Sequence, residues 1–166
     1  MLRAWNLTAK KSKICCESGS VLNGKFFGCT ACHLAVKFEN IPLLALLSSC
    51  KSIDLNIPGP NQETALHLAC SQSNNVRLFE ILLSNPSIDL SVKKNGVTPF
   101  NNLCKQEGAE EIIELFMKHP KFDTGIYDED HKTALWTCKT SVSLWEKLLF
   151  DGRIDPSVPD DNGEYL

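Results

Sequence analysis

The residues that most resemble a ligand-binding motif lie near the amino terminus, where a glycine-rich segment could bind phosphate. Gly19 to Phe26 read GSVLNGKF, one residue short of the phosphate-binding loop G-x-x-x-x-G-K-[ST], whose backbone N–H groups bind phosphates and whose hydroxyl binds magnesium. Phe26 stands where that hydroxyl is needed, no convincing strand pattern precedes the segment, and no helix pattern starts directly after Lys25. A simple turn is favoured, and a nucleotide-binding protein or enzyme using the loop from Gly19 to Lys25 is the alternative.

Cysteine and histidine side chains nearby could hold haem or zinc. Cys29-Thr-Ala-Cys32-His33 matches the haem-attachment pattern C-x-x-C-H. Zinc also accepts cysteine ligands, and a candidate set is Cys15, Cys16, Cys29 and Cys32. The spacing of that set is irregular, and His33 occupies the same place as His67 in a repeated segment, which explains the pentapeptide without a ligand. We therefore predict no catalytic residue, no metal site and no cofactor, so that the chain is not an enzyme.

The repeated segment organises most of the chain. Four copies each begin with a threonine, and these lie 34, 34 and 35 residues apart at Thr30, Thr64, Thr98 and Thr133. A helix-like apolar run follows each threonine, and an aspartate follows the start of each run by 11 residues, at Asp54, Asp89, Asp123 and Asp155. One such unit cannot bury its own apolar face, so neighbouring units must stack.

The residues of one unit predict a helix pair. Threonine at a helix start can cap free backbone N–H groups, so we expect a short first helix at about residues 64–72. Leu78, Ile81 and Leu82 follow the i, i+3, i+4 spacing of a buried stripe on a second helix. Pro86 then prevents that helix from continuing, and an extended turn leads to the next unit.

These segments resemble the ankyrin repeat, whose signature is T-P-L-H-x-A at a period of about 33 residues. Thr64-Ala65-Leu66-His67-Leu68-Ala69 is the best match, whereas the later copies have Asn101 and Trp136 at the histidine position. The resemblance covers roughly residues 20–162. It implies an all-α solenoid of helix-turn-helix units joined by extended β-turn fingers. It also implies a non-catalytic protein-protein interaction scaffold that binds through a concave face made by the turn tips and first helices.

The domain boundaries follow the repeat. Residues 1–27 are expected to be an irregular N-terminal segment or degenerate half-repeat, followed by four repeats at about 28–62, 63–95, 96–131 and 132–162. Residues 163–166 would be the start of a truncated fifth repeat or a C-terminal tail. A further alternative is therefore that the chain is the packing or adaptor segment of a larger signalling, channel or ubiquitin-ligase protein. We expect a monomer or part of a longer chain.

Composition limits the kinds of partner and the cellular compartments that can be expected. The net charge of −3 argues against nucleic acid or an acidic membrane surface as the partner. No stretch approaches the roughly 18 apolar residues of a membrane span. Cysteines recur at apolar repeat positions, so we predict a cytoplasmic or nuclear protein with free thiols at Cys50, Cys70, Cys104 and Cys138. The expected partner is another protein.

Residues on the turn tips and first helices are the candidate contacts with that protein. We place the tips at residues 56–63, 91–97 and 124–132, where side chains escape the packing constraint that keeps the core alike. Tyrosine is a common binding anchor, and exposed lysines mostly steer association. The candidate partner-binding residues are Lys93, Lys94, Tyr127, Asp128, Glu129, Asn61, Gln72 and Lys105.

Overall fold

A computed structural model of the chain describes residues 23–106, 108–123 and 142–150, together with residues 152 and 157. The chain divides into two compact units, Met1–Ile88 and Asp89–Leu166. Every regular element in these ranges is helical, and pairing of the β type is limited to two isolated bridges, Phe26 with Cys29 and Lys94 with Val97. The predicted all-α fold is therefore confirmed. None of the helices described is both long and apolar enough to cross a membrane.

The first unit contains two helix pairs. Helix α1 (Ala31–Lys37) pairs with α2 (Ile41–Ser48), and α3 (Ala65–Gln72) is followed by its partner α4 (Val76–Leu83). Helix α1 also packs against α3, and α2 packs against α4. First helices therefore pack on first helices and second helices on second helices, as stacked repeats require.

A threonine precedes each of the three first helices that the structure describes, and the side chains of two of them cap their helix. Thr30, Thr64 and Thr98 have extended backbone, with φ of −81°, −81° and −79°. The Thr64 hydroxyl accepts a hydrogen bond from the His67 N–H at 3.3 Å, and the Thr98 hydroxyl accepts one from the Asn101 N–H at 3.2 Å. These bonds satisfy N–H groups that have no partner inside the helix. The predicted capping role is confirmed for Thr64 and Thr98.

The second helices supply the apolar core. Leu78, Ile81 and Leu82 of α4 are buried, as their spacing predicts. The residue 14 places after each capping threonine is Leu44, Leu78 or Ile112, and each is at most 1% exposed. Full burial of a side chain of this size contributes about 1.5–3 kcal/mol. A buried aliphatic side chain therefore fills the same space in successive repeats.

The second unit contains α5 (Pro99–Leu103), α6 (Glu110–Lys118) and α7 (Val142–Phe150). Phe100, Phe116 and Phe122 form an aromatic cluster, in which the ring centroid of Phe100 lies 5.5 Å from that of Phe116 and 4.6 Å from that of Phe122. On the surface, Lys147 Nζ lies 2.5 Å from Glu114 Oε1 and connects α7 to α6.

Helix α5 is shorter than the equivalent α3. It ends at Leu103, and the N–H groups of Lys105 and Gln106 donate to carbonyls three residues back. Such bonds form the tighter 3-10 turn that often ends an α-helix. The expectation that Lys105 lies on the first helix of this repeat is therefore wrong, because the chain leaves the α-helix before it reaches this residue.

The cysteines lie where small apolar residues pack. Cys50, Cys70 and Cys104 are buried free thiols, and Cys138 lies outside the described residues. Burial raises the pKa of the Cys70 thiol well above its usual value, and it raises the pKa of Cys32 to about 12. Both thiols are therefore protonated and unreactive at neutral pH.

Candidate partner-binding surface

An extended loop precedes each first helix that the structure describes, and we call these loops fingers: the first finger is residues 23–30, the second is 56–63 and the third is 91–97. At each tip two consecutive residues have left-handed backbone. Their φ values are 49° and 81° at Phe27 and Gly28, 61° and 61° at Asn61 and Gln62, and 48° and 77° at Asn95 and Gly96. Two successive residues with positive φ are the pattern of a type I′ turn. The three fingers therefore share a left-handed tip, although the second lacks the backbone bridge of the other two because Pro60 has no N–H to donate. They differ in the side chains that the tip presents.

The first finger presents two aromatic rings to solvent. Phe26 and Cys29 exchange backbone hydrogen bonds of 2.8 and 3.0 Å, which close the turn. Phe26 is 68% exposed and Phe27 is 87% exposed, and their ring centroids lie 4.5 Å apart in an edge-to-face arrangement. Sequence reasoning missed this pair as a contact surface. The signal was available, because Phe27 precedes its capping threonine by the same three residues as Asn61 and Asn95 precede theirs.

The first and second fingers contact each other. A Cβ placed on Gly28 would lie 3.2 Å from the Cγ atom of Pro60 in the second finger. Pro60 is exposed, as is Pro58. Pro60 therefore lies beside the aromatic tip and extends its apolar surface.

The second finger is also fastened to the first helix pair through His33. The carbonyl oxygen of Glu63 accepts hydrogen bonds from the Gly59 N–H at 2.6 Å and from His33 Nε2 at 2.8 Å. Gly59 lies against the imidazole, since a Cβ at that position would lie 2.6 Å from His33 Nε2. Asn61 is exposed at the tip of this finger.

The bonds of His33 assign it a structural role. A carbonyl can only accept a hydrogen bond, so Nε2 must carry the proton that it donates to Glu63. Nδ1 then accepts from Thr30, whose N–H lies 3.3 Å away and whose hydroxyl lies 2.8 Å away. The same threonine–histidine contact recurs at Thr64 and His67, also at 2.8 Å. Both ring nitrogens of His33 are engaged, so the ring is not available as a haem ligand without rearrangement.

Glu39 connects the two repeats of the first unit. Its carboxylate accepts hydrogen bonds from Ser73 Oγ at 2.5 Å and from Asn75 Nδ2 at 3.3 Å. These bonds lower the pKa of the Glu39 carboxyl below its usual value. Glu39 itself has a φ of 47° in the turn between α1 and α2. The ionised side chain therefore ties the turn of one repeat to the turn of the next.

The third finger presents lysines. Lys93 is exposed and Lys94 is half-buried, and the backbone of Lys94 exchanges hydrogen bonds of 2.9 and 3.0 Å with Val97. Asn95 and Gly96 form the tip between them. The expected exposure is confirmed for Lys93 but not for Lys94, and with two lysines this finger is the most basic of the three.

The remaining predicted contacts are distributed between the units. Gln72 is exposed at the last residue of α3, in the same unit as Asn61. Lys105 is exposed in the turn after α5, in the same unit as Lys93 and Lys94. The other three candidates lie outside the described residues, and they are Tyr127, Asp128 and Glu129.

The loop from Gly19 to Lys25 is only partly described, from Asn23 onward. Asn23 Nδ2 donates to the Ser52 carbonyl at 2.9 Å, and its Oδ1 accepts from the Asp54 N–H at 2.9 Å. The first finger follows, and α1 begins only at Ala31. The prediction that no helix starts directly after Lys25 is confirmed, so this segment lacks the helix N-terminus on which a phosphate-binding loop depends.

Metal-ligand chemistry was the other sequence alternative. Cys15 and Cys16 of the hypothetical zinc set lie outside the described residues, and Cys32 is 1% exposed. Among the residues that the structure describes, no group of three or more histidine, cysteine, aspartate or glutamate side chains is arranged to hold a metal ion.

Comparison with protein families and solved structures identifies the repeat. The sequence model of ankyrin repeats (three copies) matches residues 6–94, which is more than half of the chain. Among solved structures, the crystal structure of EF0377, an ankyrin repeat protein, superposes with a TM-score of 0.76 over 99% of this chain and 86% of that one. At 19% identity that likeness shows the fold alone.

Curated relatives share part of the chain. SMC5-SMC6 complex localization factor protein 1 from Homo sapiens is 37% identical over 92 residues, which are 55% of this chain and 9% of that protein. Transient receptor potential cation channel subfamily A member 1 from Homo sapiens is 29% identical over 86 residues, 52% of this chain and 8% of that protein. The chain therefore matches less than a tenth of the length of these relatives.

Proposed function

The chain belongs to the ankyrin repeat family, and from this premise we propose that it is a non-catalytic module that binds a partner protein through its fingers and first helices. Ankyrin repeats are generally protein-interaction modules. The observation that carries the proposal is that the fingers share a left-handed turn at the tip but differ in the side chains that they expose. The first is aromatic at Phe27, the second carries Pro60 and Asn61, and the third is basic at Lys93.

The contrast between core and fingers supports this reading. Ala35, Ala69 and Leu103 occupy one position of the repeat and are fully buried. Filling one space explains why such positions stay alike, whereas no packing requirement explains why the exposed tips differ. Exposed, variable loops on a rigid scaffold are where proteins place recognition residues.

We propose Asn61 and Gln72 in the first unit, and Lys93, Lys94 and Lys105 in the second unit, as partner contacts. Tyr127, Asp128 and Glu129 remain proposed contacts from the sequence. Lysines at the rim of an interface affect the association rate and its dependence on salt more than they affect the dissociation rate. The corresponding surface on the partner would be acidic opposite the third finger.

Affinity purification with the full chain, followed by mass spectrometry, would identify the partner. Binding of the purified partner would then be compared for the wild type and for the double variant Lys93→Ala and Lys94→Ala. A charge-matched control is Lys51→Ala with Lys118→Ala, since both lysines are exposed. Lys51 lies just after the second helix α2, and Lys118 is the last residue of the second helix α6. We expect the finger variant to bind more slowly and the control to bind like the wild type. Equal loss in both variants, or loss only in the control, would assign binding to another surface.

Two alternatives have distinct tests. If the loop from Gly19 to Lys25 binds nucleotide, labelled ATP with magnesium would bind the full chain, and Lys25→Ala would abolish that binding. The second alternative is that the chain is an adaptor segment of a larger protein. The 37% identity to a protein named as a complex localization factor favours this second alternative, in which the module would recruit a protein complex. We propose a cytoplasmic or nuclear location, which fluorescence microscopy of the full-length product would test.

A further inference from the structure

Phe27 is an aromatic residue at a finger-tip position where turn chemistry favours asparagine or glycine. A type I′ turn favours Asn-Gly, and the third finger has this pair at Asn95 and Gly96. The first finger instead has Phe27 at the first of the two positions, with a φ of 49°. Positive φ is rare for a bulky side chain, because its Cβ crowds the neighbouring backbone. Backbone strain of this kind is often found at functional sites.

The conformation of Phe27 does not bury its side chain. The ring is 87% exposed, and the neighbouring ring of Phe26 is 68% exposed. The contact between the two rings supports the orientation of Phe27, and Pro60 of the second finger lies next to Gly28. A large, preorganised aromatic ring on an exposed tip has the properties of a binding anchor, since aromatic side chains dominate the energetics of most protein interfaces.

The charge around this tip selects the chemistry of its occupant. The first finger carries one formal charge, that of Lys25, because residues 23–30 contain no other lysine or arginine and no aspartate or glutamate. Lys25 is exposed and makes no ion pair within the part of the chain that the structure describes. An apolar contact next to an unpaired cation is complementary to an apolar segment that carries carboxylates.

We propose that the first finger inserts Phe27, supported by Phe26, against an apolar segment of a partner protein that is flanked by aspartate or glutamate residues, with Lys25 facing those carboxylates. This inference rests on the proposed function and adds to it the chemistry of the partner. Phe27 supplies the apolar contact that holds the complex together, and Lys25 accelerates its formation.

Two displayed peptide libraries of equal length and equal apolar content test the proposal, one with aspartate and glutamate and one with lysine and arginine at the flanking positions. Each library is selected on the immobilised full chain. We expect enrichment from the acidic library, and binding of the selected peptides should weaken at least about 10-fold in Phe27→Asn, as is usual for loss of an aromatic anchor. Lys25→Ala should slow association and reduce its sensitivity to salt.

The variant Phe27→Asn separates recognition from folding. It gives the first finger the Asn-Gly pair of the third finger, so thermal unfolding should show the same or a higher midpoint than the wild type. A loss of binding without a loss of stability is not expected from a structural role. The matched control is Phe150→Ala, which removes another exposed ring, 84% exposed, from helix α7. This control should bind the selected peptides like the wild type.

Each other outcome overturns the inference in a distinct way. Peptides that bind Phe27→Asn as tightly as the wild type would show another contact surface, while the proposed protein-binding function would stand. Enrichment from the basic library alone would show that the assigned charge is wrong. No enrichment from either library would refute the segment chemistry, and the proposed function would be decided separately by the partner measurement. If the wild type sedimented with vesicles of phosphatidylcholine and phosphatidylserine and Phe27→Asn did not, the occupant of this surface would be a membrane instead.

Discussion

Substitution of Gly59 by alanine should destabilise the first unit through one buried ring. A Cβ at this position would lie 2.6 Å from Nε2, 2.8 Å from Cδ2 and 3.1 Å from Cε1 of His33. His33 is 2% exposed and is held by Thr30 on one side and by the Glu63 carbonyl on the other. The ring therefore cannot move aside without breaking a hydrogen bond. The φ of Gly59 is −86°, which alanine also adopts, so the effect comes from the contact with the ring.

The magnitude follows from the groups that are displaced. A buried hydrogen-bonding group left without its partner costs about 1–3 kcal/mol, and inserting an extra carbon into a packed site typically costs about 1–3 kcal/mol. The lower entropy of the unfolded chain with alanine offsets about 0.4–1 kcal/mol. The net decrease in the free energy of unfolding should therefore be about 1–5 kcal/mol, taking these ranges together.

A double-mutant cycle with His33 provides the assay. Urea denaturation followed by circular dichroism would give the free energy of unfolding for the wild type, Gly59→Ala, His33→Ala and the double variant. If the clash is with the imidazole, Gly59→Ala should cost much less once His33 is alanine, with a coupling of about 1–3 kcal/mol. An equal cost of Gly59→Ala in both backgrounds, or a cost below about 0.5 kcal/mol in the wild type, would refute the assigned contact.

Three further predictions follow from buried or charged groups. Asn101 Nδ2 is buried without a hydrogen-bond partner among the described residues. Asn101 follows Thr98 by three residues, as His67 follows Thr64, so the two occupy the same repeat position. We expect Asn101→His to raise the free energy of unfolding by about 1 kcal/mol, and an unchanged or lower urea midpoint would contradict this. Because the pKa of Glu39 is lowered by Ser73 and Asn75, its contribution to stability is present above its usual pKa near 4.5 and is lost as the pH falls through the lower folded value. The free energy of unfolding measured across acidic pH should therefore depend less on pH for Glu39→Gln than for the wild type. Identical profiles would show that the Glu39 carboxyl does not contribute to this dependence. Finally, mass spectrometry without reduction should find no disulfide among Cys50, Cys70, Cys104 and Cys138, and iodoacetamide should modify half-exposed Cys29 before Cys32 or Cys70; a Cys70–Cys104 bridge would show that the predicted compartment is wrong.

Several features of the fold could be predicted because the sequence signals are local. The capping of a first helix depends on Thr64 and on the N–H of His67, three residues away. The buried stripe of α4 depends on Leu78, Ile81 and Leu82, within one and a half turns. Repetition of these short-range signals through the chain then predicted the stacking. The same reasoning placed Lys105 on a helix incorrectly, because α- and 3-10-type bonds compete at a helix end and the sequence pattern does not distinguish them.

The aromatic tip shows a different limit. The sequence aligns Phe27 with Asn61 and Asn95, but the alignment alone does not show that the ring is exposed. An aromatic residue at a repeat position is more often buried, and only the positive φ and the 87% exposure of Phe27 indicate a contact surface. Backbone direction at the tip, rather than residue type, decides whether a ring points to solvent.

The sequence by itself determined the repeat, the helix pairs, their capping threonines and the apolar positions of the core, since each depends on residues within a few places of one another. The tertiary structure decided the connections between repeats. His33 Nε2 meets the Glu63 carbonyl 30 residues away, Glu39 meets Ser73 34 residues away, and Gly28 lies against Pro60. These contacts depend on the stacking register to within a fraction of an ångström, because hydrogen bonds weaken steeply with distance and angle. A periodic pattern requires that neighbouring repeats stack, but it does not specify which polar atoms then come within hydrogen-bond distance.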